Sequence, residues 1–372
     1  MKKGMSATIW LALLQFAFLP NSKAQLTTLP DGGNKRASVT ERIGITDVTV
    51  NYSRPGVKGR EGKIWGQLVP VGYAEQGLGD TKAIPWRAGA NENSTIEFSN
   101  DVMIEGQPLS AGKYGLFIAY DPSESTVIFS RSSTAWGAFF YNPQDDALRV
   151  KVKPIPLDNE VEWLRYEFTD EKENSATVAL QWEKLSIPFK VEVDYNKTQL
   201  ESFRRELRSD KAFNWQNWAQ AAQWCAQRNT DLDEGLAWAN KAIDPNLGGI
   251  KNFQTLSTKA QILSLQGKSA DADAIMKEAM PLGTAQDLHQ YARRLVTQKR
   301  LKDALDVFKT NYDRHPNEFM TNMGMARGYS ANGDYKTAIT YLKKAQAQAP
   351  DPLNKANIEK LVPMLEQGKD IN

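Results

Sequence analysis

The segment FKVEVDYNKTQLESFRREL (residues 189–207) is where the hydrophobic rhythm of the chain changes. Up to Val193 the apolar side chains fall on every second residue (Phe189, Val191, Val193), the period of a strand that buries one face. From Leu200 they return every third or fourth residue (Leu200, Phe203, Leu207), the period of an amphipathic helix. Two architectures therefore meet near position 195. No Pro- or Gly-rich linker stands between Val193 and Leu200, which argues for limited independence of the two parts.

Upstream, the period of two recurs. Val48, Val50 and Tyr52 form one set, Ile96 and Phe98 another, and Tyr114, Leu116, Ile118 and Tyr120 a third. Later sets are Leu148 to Val152, Leu164 to Phe168, Val178 to Trp182 and Phe189 to Val193. Turn-forming residues separate them at Glu105–Pro108, Asp121–Ser123 and Asp170–Asn174. Short strands at this spacing predict an all-β antiparallel sandwich, or a flattened barrel, over residues 37–193.

Downstream, the chain repeats itself. Ala292, Leu295, Leu301, Ala304, Phe308 and Pro316 are each followed thirty-four residues later by Ala326, Tyr329, Tyr335, Ala338, Leu342 and Pro350. That is the tetratricopeptide period, with small residues where the two helices of a hairpin touch and proline at the closing turn. Ala260, Leu263, Gly267, Ala272, Met276 and Ala279 make an earlier copy after a two-residue offset, and Leu232 to Ala242 a degenerate one. A single hairpin cannot bury its apolar face, so residues 198–372 are expected to form an all-α stack. Ile358–Gln367, interrupted by Pro363, would be its capping helix. Trp215, Trp218, Trp224 and Trp238 fall at helical spacing and read as core between hairpins.

Four stretches of the β half are YSRPGVKGR (52–60), PWRAGANE (85–92), IEGQPLSAGKY (104–114) and LRVKVKP (148–154). In that order they resemble the exported bacterial family catalogued as domain of unknown function 2911, over about residues 37–193. The resemblance implies an exported protein, often with helical repeats behind the β domain, and no established activity. Two departures from the family stand out. Residues 74–84 form an insertion that would make a lid or rim, and Ala88 replaces a common threonine, so no hydroxyl is available there.

The N-terminus has the three parts of a signal peptide. Lys2 and Lys3 precede an apolar run from Ile9 to Leu19, and Ser22-Lys23-Ala24 offers small residues for cleavage before Gln25. Residues 1–24 are therefore expected to be removed and the mature chain to be soluble in the periplasm or outside the cell. The apolar run is short for a span, and no later segment approaches about eighteen apolar residues. Without Lys2, Lys3 and Lys23 the formal charge falls from +2 to about −1, which gives no pull towards nucleic acid or anionic membranes. Cys225 is the only cysteine, so no internal disulfide is possible. His289 and His315 are the only histidines. This supply is too thin for metal or triad chemistry, so neither a metal nor a cofactor is expected.

The densest chemistry lies in residues 86–92. Trp86 offers a flat apolar face, Arg87 a planar fork for carboxylate or phosphate, and Asn91 a donor and an acceptor. Glu92 can accept or exchange a proton and is the candidate catalytic acid or base. The competing reading is structural: Arg87 pairs with Glu92, Trp86 fills the core and Asn91 caps a turn. Arg54, Lys58 and Arg60 put three cations on a Gly-rich turn that could hold an anion. The bland alternative there is a solvated basic hairpin.

Three functions follow from this pattern. The first is an exported binding protein, its β domain holding a small polar ligand, glycan or peptide and its repeats docking a protein. The second is an assembly scaffold with no small-molecule site. The third is a hydrolase of envelope sugars using Glu92 and another carboxylate.

Overall fold

The computed structural model describes residues 33–76, 78 and 81–372. The signal-peptide expectation, and part of the insertion at 74–84, lie outside the described residues. The chain divides between Thr198 and Gln199 into two compact units, each with its own core.

The named strands of the first unit all pair antiparallel. Its strands are β1 (Lys35–Ile43), β2 (Thr46–Arg54), β3 (Ala74–Glu75), β4 (Ala83–Ile84), β5 (Ser94–Phe98) and β6 (Val102–Ile104). They continue with β7 (Gln107–Leu109), β8 (Gly112–Ala119), β9 (Ser125–Ser130), β10 (Asp146–Val152), β11 (Ile155–Lys172) and β12 (Ser175–Glu192). One sheet has the order β1-β2-β5-β8-β9-β10, a second β11-β12-β6-β7, and β3 pairs with β4 alone. The described sheets stay open, with β1 and β10 as edges, so the flattened-barrel alternative is not what forms.

Both large sheets feed one core. Val48, Val50, Ile96, Leu116 and Phe129 from the first meet Leu164, Val178, Leu180 and Val191 from the second, all at most 1% exposed. Register follows from that burial. Val50 stands opposite Val39 and Ile96, and Ile96 opposite Tyr114. A slip by one residue would turn each of these to the other face.

The sequence reads Val178–Trp182 and Phe189–Val193 as separate strands, whereas the chain runs them together as β12. Register shifts between Pro156 and Val161, and between Val161 and Arg165, carry the β11–β12 pair through, with Glu183 in the left-handed region at φ 53°. Such bulges break the local alternation without ending the strand.

The helices are α1 (Tyr195–Glu206), α2 (Trp215–Arg228), α3 (Leu232–Ala242), α4 (Phe253–Leu265) and α5 (Ser269–Ala279). They are followed by α6 (Ala285–Thr297), α7 (Leu301–Arg314), α8 (Phe319–Ala331), α9 (Tyr335–Ala347) and α10 (Pro352–Glu366). From α2 to α9 they pair as antiparallel hairpins in a tetratricopeptide-like stack. The starts of α6 and α8 lie thirty-four residues apart, as do those of α7 and α9. Buried alanines let each pair close: Ala260 with Ala272, Ala292 with Ala304, Ala326 with Ala338. Side-chain caps fix the starts, Asn252 for α4, Thr284 for α6 and Asp334 for α9.

Trp218, Trp238 and Cys225 are buried in the first hairpin. Burial pushes the Cys225 thiol up to about 12, which leaves it protonated and inert near neutral pH. The last helix begins at Pro352, earlier than its apolar pattern indicates, and continues through Pro363. No described helix is long and apolar enough to cross a membrane.

Candidate functional site

The alternation that sends Val48, Val50 and Tyr52 into the core sends Thr49, Asn51 and Ser53 to the opposite face of the sheet. Pairing then lines up polar side chains across strands. Ser38 stands opposite Asn51, Asn51 opposite Thr95, and Thr95 opposite Gly115. Arg36 stands beside this row, opposite Ser53. Small polar groups thus form the floor of a cleft of about 570 Å³, walled by residues 92–93 and 133–136. Lys113 lines it too, and Trp136 on the wall is 61% exposed.

Gly115 makes the close packing of this wall possible. A Cβ there would fall 2.3 Å from the Ser132 carbonyl oxygen and 2.5 Å from Asn93 Nδ2. The Asn93 amide nitrogen is itself buried and has no hydrogen-bond partner.

Glu92 is the only carboxylate among the lining residues. It forms an ion pair with Arg36 and accepts from Ser53 Oγ at 3.3 Å. With Arg36 and Lys113 against Glu92, the lining carries an excess of one positive charge. Among the described residues no three His, Cys, Asp or Glu side chains gather as a metal site.

The other residues singled out in the sequence go elsewhere. Trp86 joins the core side, stacked on Trp182 at 6.1 Å and edge-on to Trp65 at 5.6 Å. Arg87 donates from Nη1 to the Asn91 carbonyl at 2.7 Å and lies 5.3 Å from the Phe139 ring centroid. Burial lowers its pKa, and its partner is backbone rather than Glu92. Asn91 sits at φ 59° and accepts from the Asn34 side chain at 3.2 Å. Arg54 Nε donates to the Leu164 carbonyl at 2.8 Å, and Arg60 donates to the carbonyls of Val57 and Gly56 at 2.9 and 2.6 Å. The Lys58 ammonium lies 5.6 Å from the Trp163 ring centroid. Of these seven residues, Glu92 alone lines the cleft.

Ala88, the position without the family's threonine, is fully buried in the core at φ 51°. Its carbonyl accepts from Tyr166 Oη at 2.9 Å and Ser94 Oγ at 2.8 Å. A side chain there faces the core and not the cleft, so the alanine removes nothing from the cleft wall.

The sequence reading singled out none of the cleft residues Arg36, Ser38, Asn51, Thr95, Lys113 and Trp136 as a binding residue. The available signal was the outward half of the β1 and β2 alternation, together with a tryptophan in a polar, aperiodic segment.

Residues 34–191 match the family described as "Protein of unknown function (DUF2911)". Among solved structures, the chain is similar to YrrB, titled "a TPR protein with an unusual peptide-binding site". That match has 17% identity, covers 43% of this chain and 99% of that one, and has a TM-score of 0.24. It is also similar to the APC/C hetero-tetramer Cut9-Hcn1, at 14% identity over 46% of this chain and 35% of that one, TM-score 0.30. A third is the human IFIT1 dimer with PPP-AAAA, at 16% identity, 46% and 44% coverage and TM-score 0.29. No curated protein matches the chain in sequence.

Proposed function

From a DUF2911 domain joined to a tetratricopeptide-like stack, we propose that the chain is an exported binding protein. Its β unit takes a small polar ligand, a saccharide in the first place, and its repeats dock a protein or peptide. The observation that carries the first half is the cleft of about 570 Å³, with a polar floor and the largely exposed Trp136 on its wall. The volume is of the size that holds a small molecule, and convergent polar groups are what orient one. Sugars present both hydroxyls and flat apolar faces, which Asn51, Thr95, Arg36 and Trp136 match in kind.

A purely structural role predicts no formed cleft on the β unit, so the cleft weighs against it. Two-carboxylate hydrolysis is disfavoured because Glu92 has no second acid beside it in the lining. Export is supported by Lys2, Lys3, the Ile9–Leu19 run and the Ser22-Lys23-Ala24 signature.

The test is oligosaccharide binding by the mature chain, screened on a glycan array and quantified by calorimetry. Trp136→Ala is expected to weaken the best binder about tenfold or more, near 1.4 kcal/mol, with far-UV circular dichroism unchanged. An array with no saturable binder, or a binder indifferent to Trp136→Ala, overturns the assignment of the cleft. N-terminal sequencing of protein from fractionated cells tests export, and a chain that begins at Met1 in the cytoplasm refutes it.

A further inference from the structure

After α10 the chain reverses at Gly368, φ 70°, and the segment Lys369–Asn372 runs back along α8. Its contacts are specific. Ser330, 1% exposed, donates from Oγ to Asp370 Oδ1 at 2.6 Å and accepts from the Ile371 amide at 3.1 Å. Arg327 Nη1 donates to the Ile371 carbonyl at 2.9 Å, and Asn372 Nδ2 donates to the Arg327 carbonyl at 3.1 Å. The Ile371 side chain is 6% exposed, in a cluster with Ala326, Ile358 and Leu365. One carboxylate, one aliphatic side chain and the backbone between them are all read by α8 and its neighbours. These are the elements by which a protein recognises an extended peptide.

The surroundings are cationic. Helix α6 lies beside α8, and the charge of Arg293 on α6 is felt at Arg327. Burial, then Arg327 and Arg293, hold the His289 imidazole down to about 4. Its Nδ1 is buried with no partner. At Arg327 the charges of Arg293 and Asp370 act in opposite directions, so a carboxylate at the position of Asp370 is favoured on this face.

We propose that the α6–α8 face is a docking site for an extended acidic peptide, a carboxylate followed by an aliphatic residue, and that Asp370–Asn372 is its intramolecular occupant. This rests on the reading of the repeats as a docking surface. A partner must displace the segment. Tethering sets the segment's local concentration on the order of millimolar, so a segment whose own dissociation constant is about 0.1 mM or tighter makes a competing peptide bind the intact chain tenfold or more weaker than the open face.

The experiment uses a fluorescein-labelled peptide of residues 367–372 as probe, with full-length protein throughout. Asp370→Asn combined with Ile371→Ser releases the segment. Fluorescence anisotropy is expected to show saturable binding at least tenfold tighter than to the unmodified chain, and adding Arg327→Ala and Ser330→Ala is expected to reverse the gain. A released variant with native circular dichroism that binds the probe no tighter than the parent overturns the proposal. Hydrogen exchange on the unmodified chain is independent of variant folding. The Ile371 amide is expected to exchange at least tenfold faster than that of Ala326, and faster still with excess unlabelled peptide. Equal protection at the two amides makes the segment a permanent cap and refutes the idea. Acidic peptides that bind the intact chain without competing with the probe refute it as well, while leaving the docking role of the repeats standing.

Discussion

Gly115→Ala tests the cleft and the strand beneath it with one methyl group. The added Cβ would sit 2.3 Å from the Ser132 carbonyl oxygen and 2.5 Å from Asn93 Nδ2, and 3.1 Å from a ring carbon of Phe117. Two effects compete. Alanine reduces the freedom of the unfolded chain, which stabilises by about 0.4–1 kcal/mol where the backbone tolerates it. Overpacking a closed site opposes this by about 1–3 kcal/mol. The clash wins here, because the nearest atom is backbone and Asn93 is 6% exposed, so neither can swing into solvent. The wall at 132–136 must move away from β8, taking Trp136 with it. Mass-spectrometric hydrogen exchange on the β8 segment is expected to accelerate by a factor of roughly 5 to 160, the factor set by about 1–3 kcal/mol. Ligand binding at the cleft is expected to fall in parallel. Unchanged β8 exchange together with unchanged binding would refute the packing argument, since the geometry leaves no room for a silent methyl.

Three further perturbations probe other parts of the molecule. Trp182→Ala removes a core side chain 1% exposed that stacks on Trp86, and is expected to destabilise the β unit by about 3–5 kcal/mol in urea unfolding; a loss below about 1 kcal/mol would contradict its burial. Cys225, buried and with its thiol pushed up to about 12, is expected to resist a disulfide-exchange reagent at pH 8 until urea is added; rapid labelling of native protein would show the first hairpin to be open. His289 has a folded pKa lowered from 6.5 to about 4, so its contribution is fully present above about pH 6.5 and is lost as pH falls from there through 4. His289→Gln is expected to flatten the stability-versus-pH curve in that window, and an unaltered slope would remove His289 as its source.

The sequence showed the fold where the determining pattern is local and hid the cleft, whose pattern is not. Alternation along β2 or β8, and the thirty-four-residue period from Ala292 to Pro350, are carried by neighbours in the chain, so they survive without coordinates. The cleft depends on strand order. Ser38, Asn51, Thr95 and Gly115 become a row only once β1, β2, β5 and β8 pair in that order and register. Residues 86–92 looked like one site because they are consecutive, yet the left-handed residues Ala88 and Asn91 send neighbouring side chains in different directions. Trp86 goes to the core, Arg87 to its own loop and Glu92 to the cleft. At 54–60 the guanidinium donors find partners within the fold, Arg54 and Arg60 donating to backbone carbonyls, which a sequence cannot reveal.

The arrangement around Glu92 bears on the choice between the proposed binding role and two-carboxylate hydrolysis. A general acid needs a raised pKa, which comes from an apolar pocket or a second carboxylate nearby. Glu92 instead pairs with Arg36 and accepts from Ser53 Oγ, and no second carboxylate stands in the lining. In the proposed binding role, side-chain oxygens oriented in this way would accept hydroxyl hydrogens while Arg36 donates to the same ligand. On this argument Glu92→Gln weakens ligand affinity, because the amide replaces an acceptor with a donor and frees Arg36. Its effect is expected in the dissociation constant measured by calorimetry. A saccharide turned over by the parent chain and bound but not turned over by Glu92→Gln would reverse the conclusion.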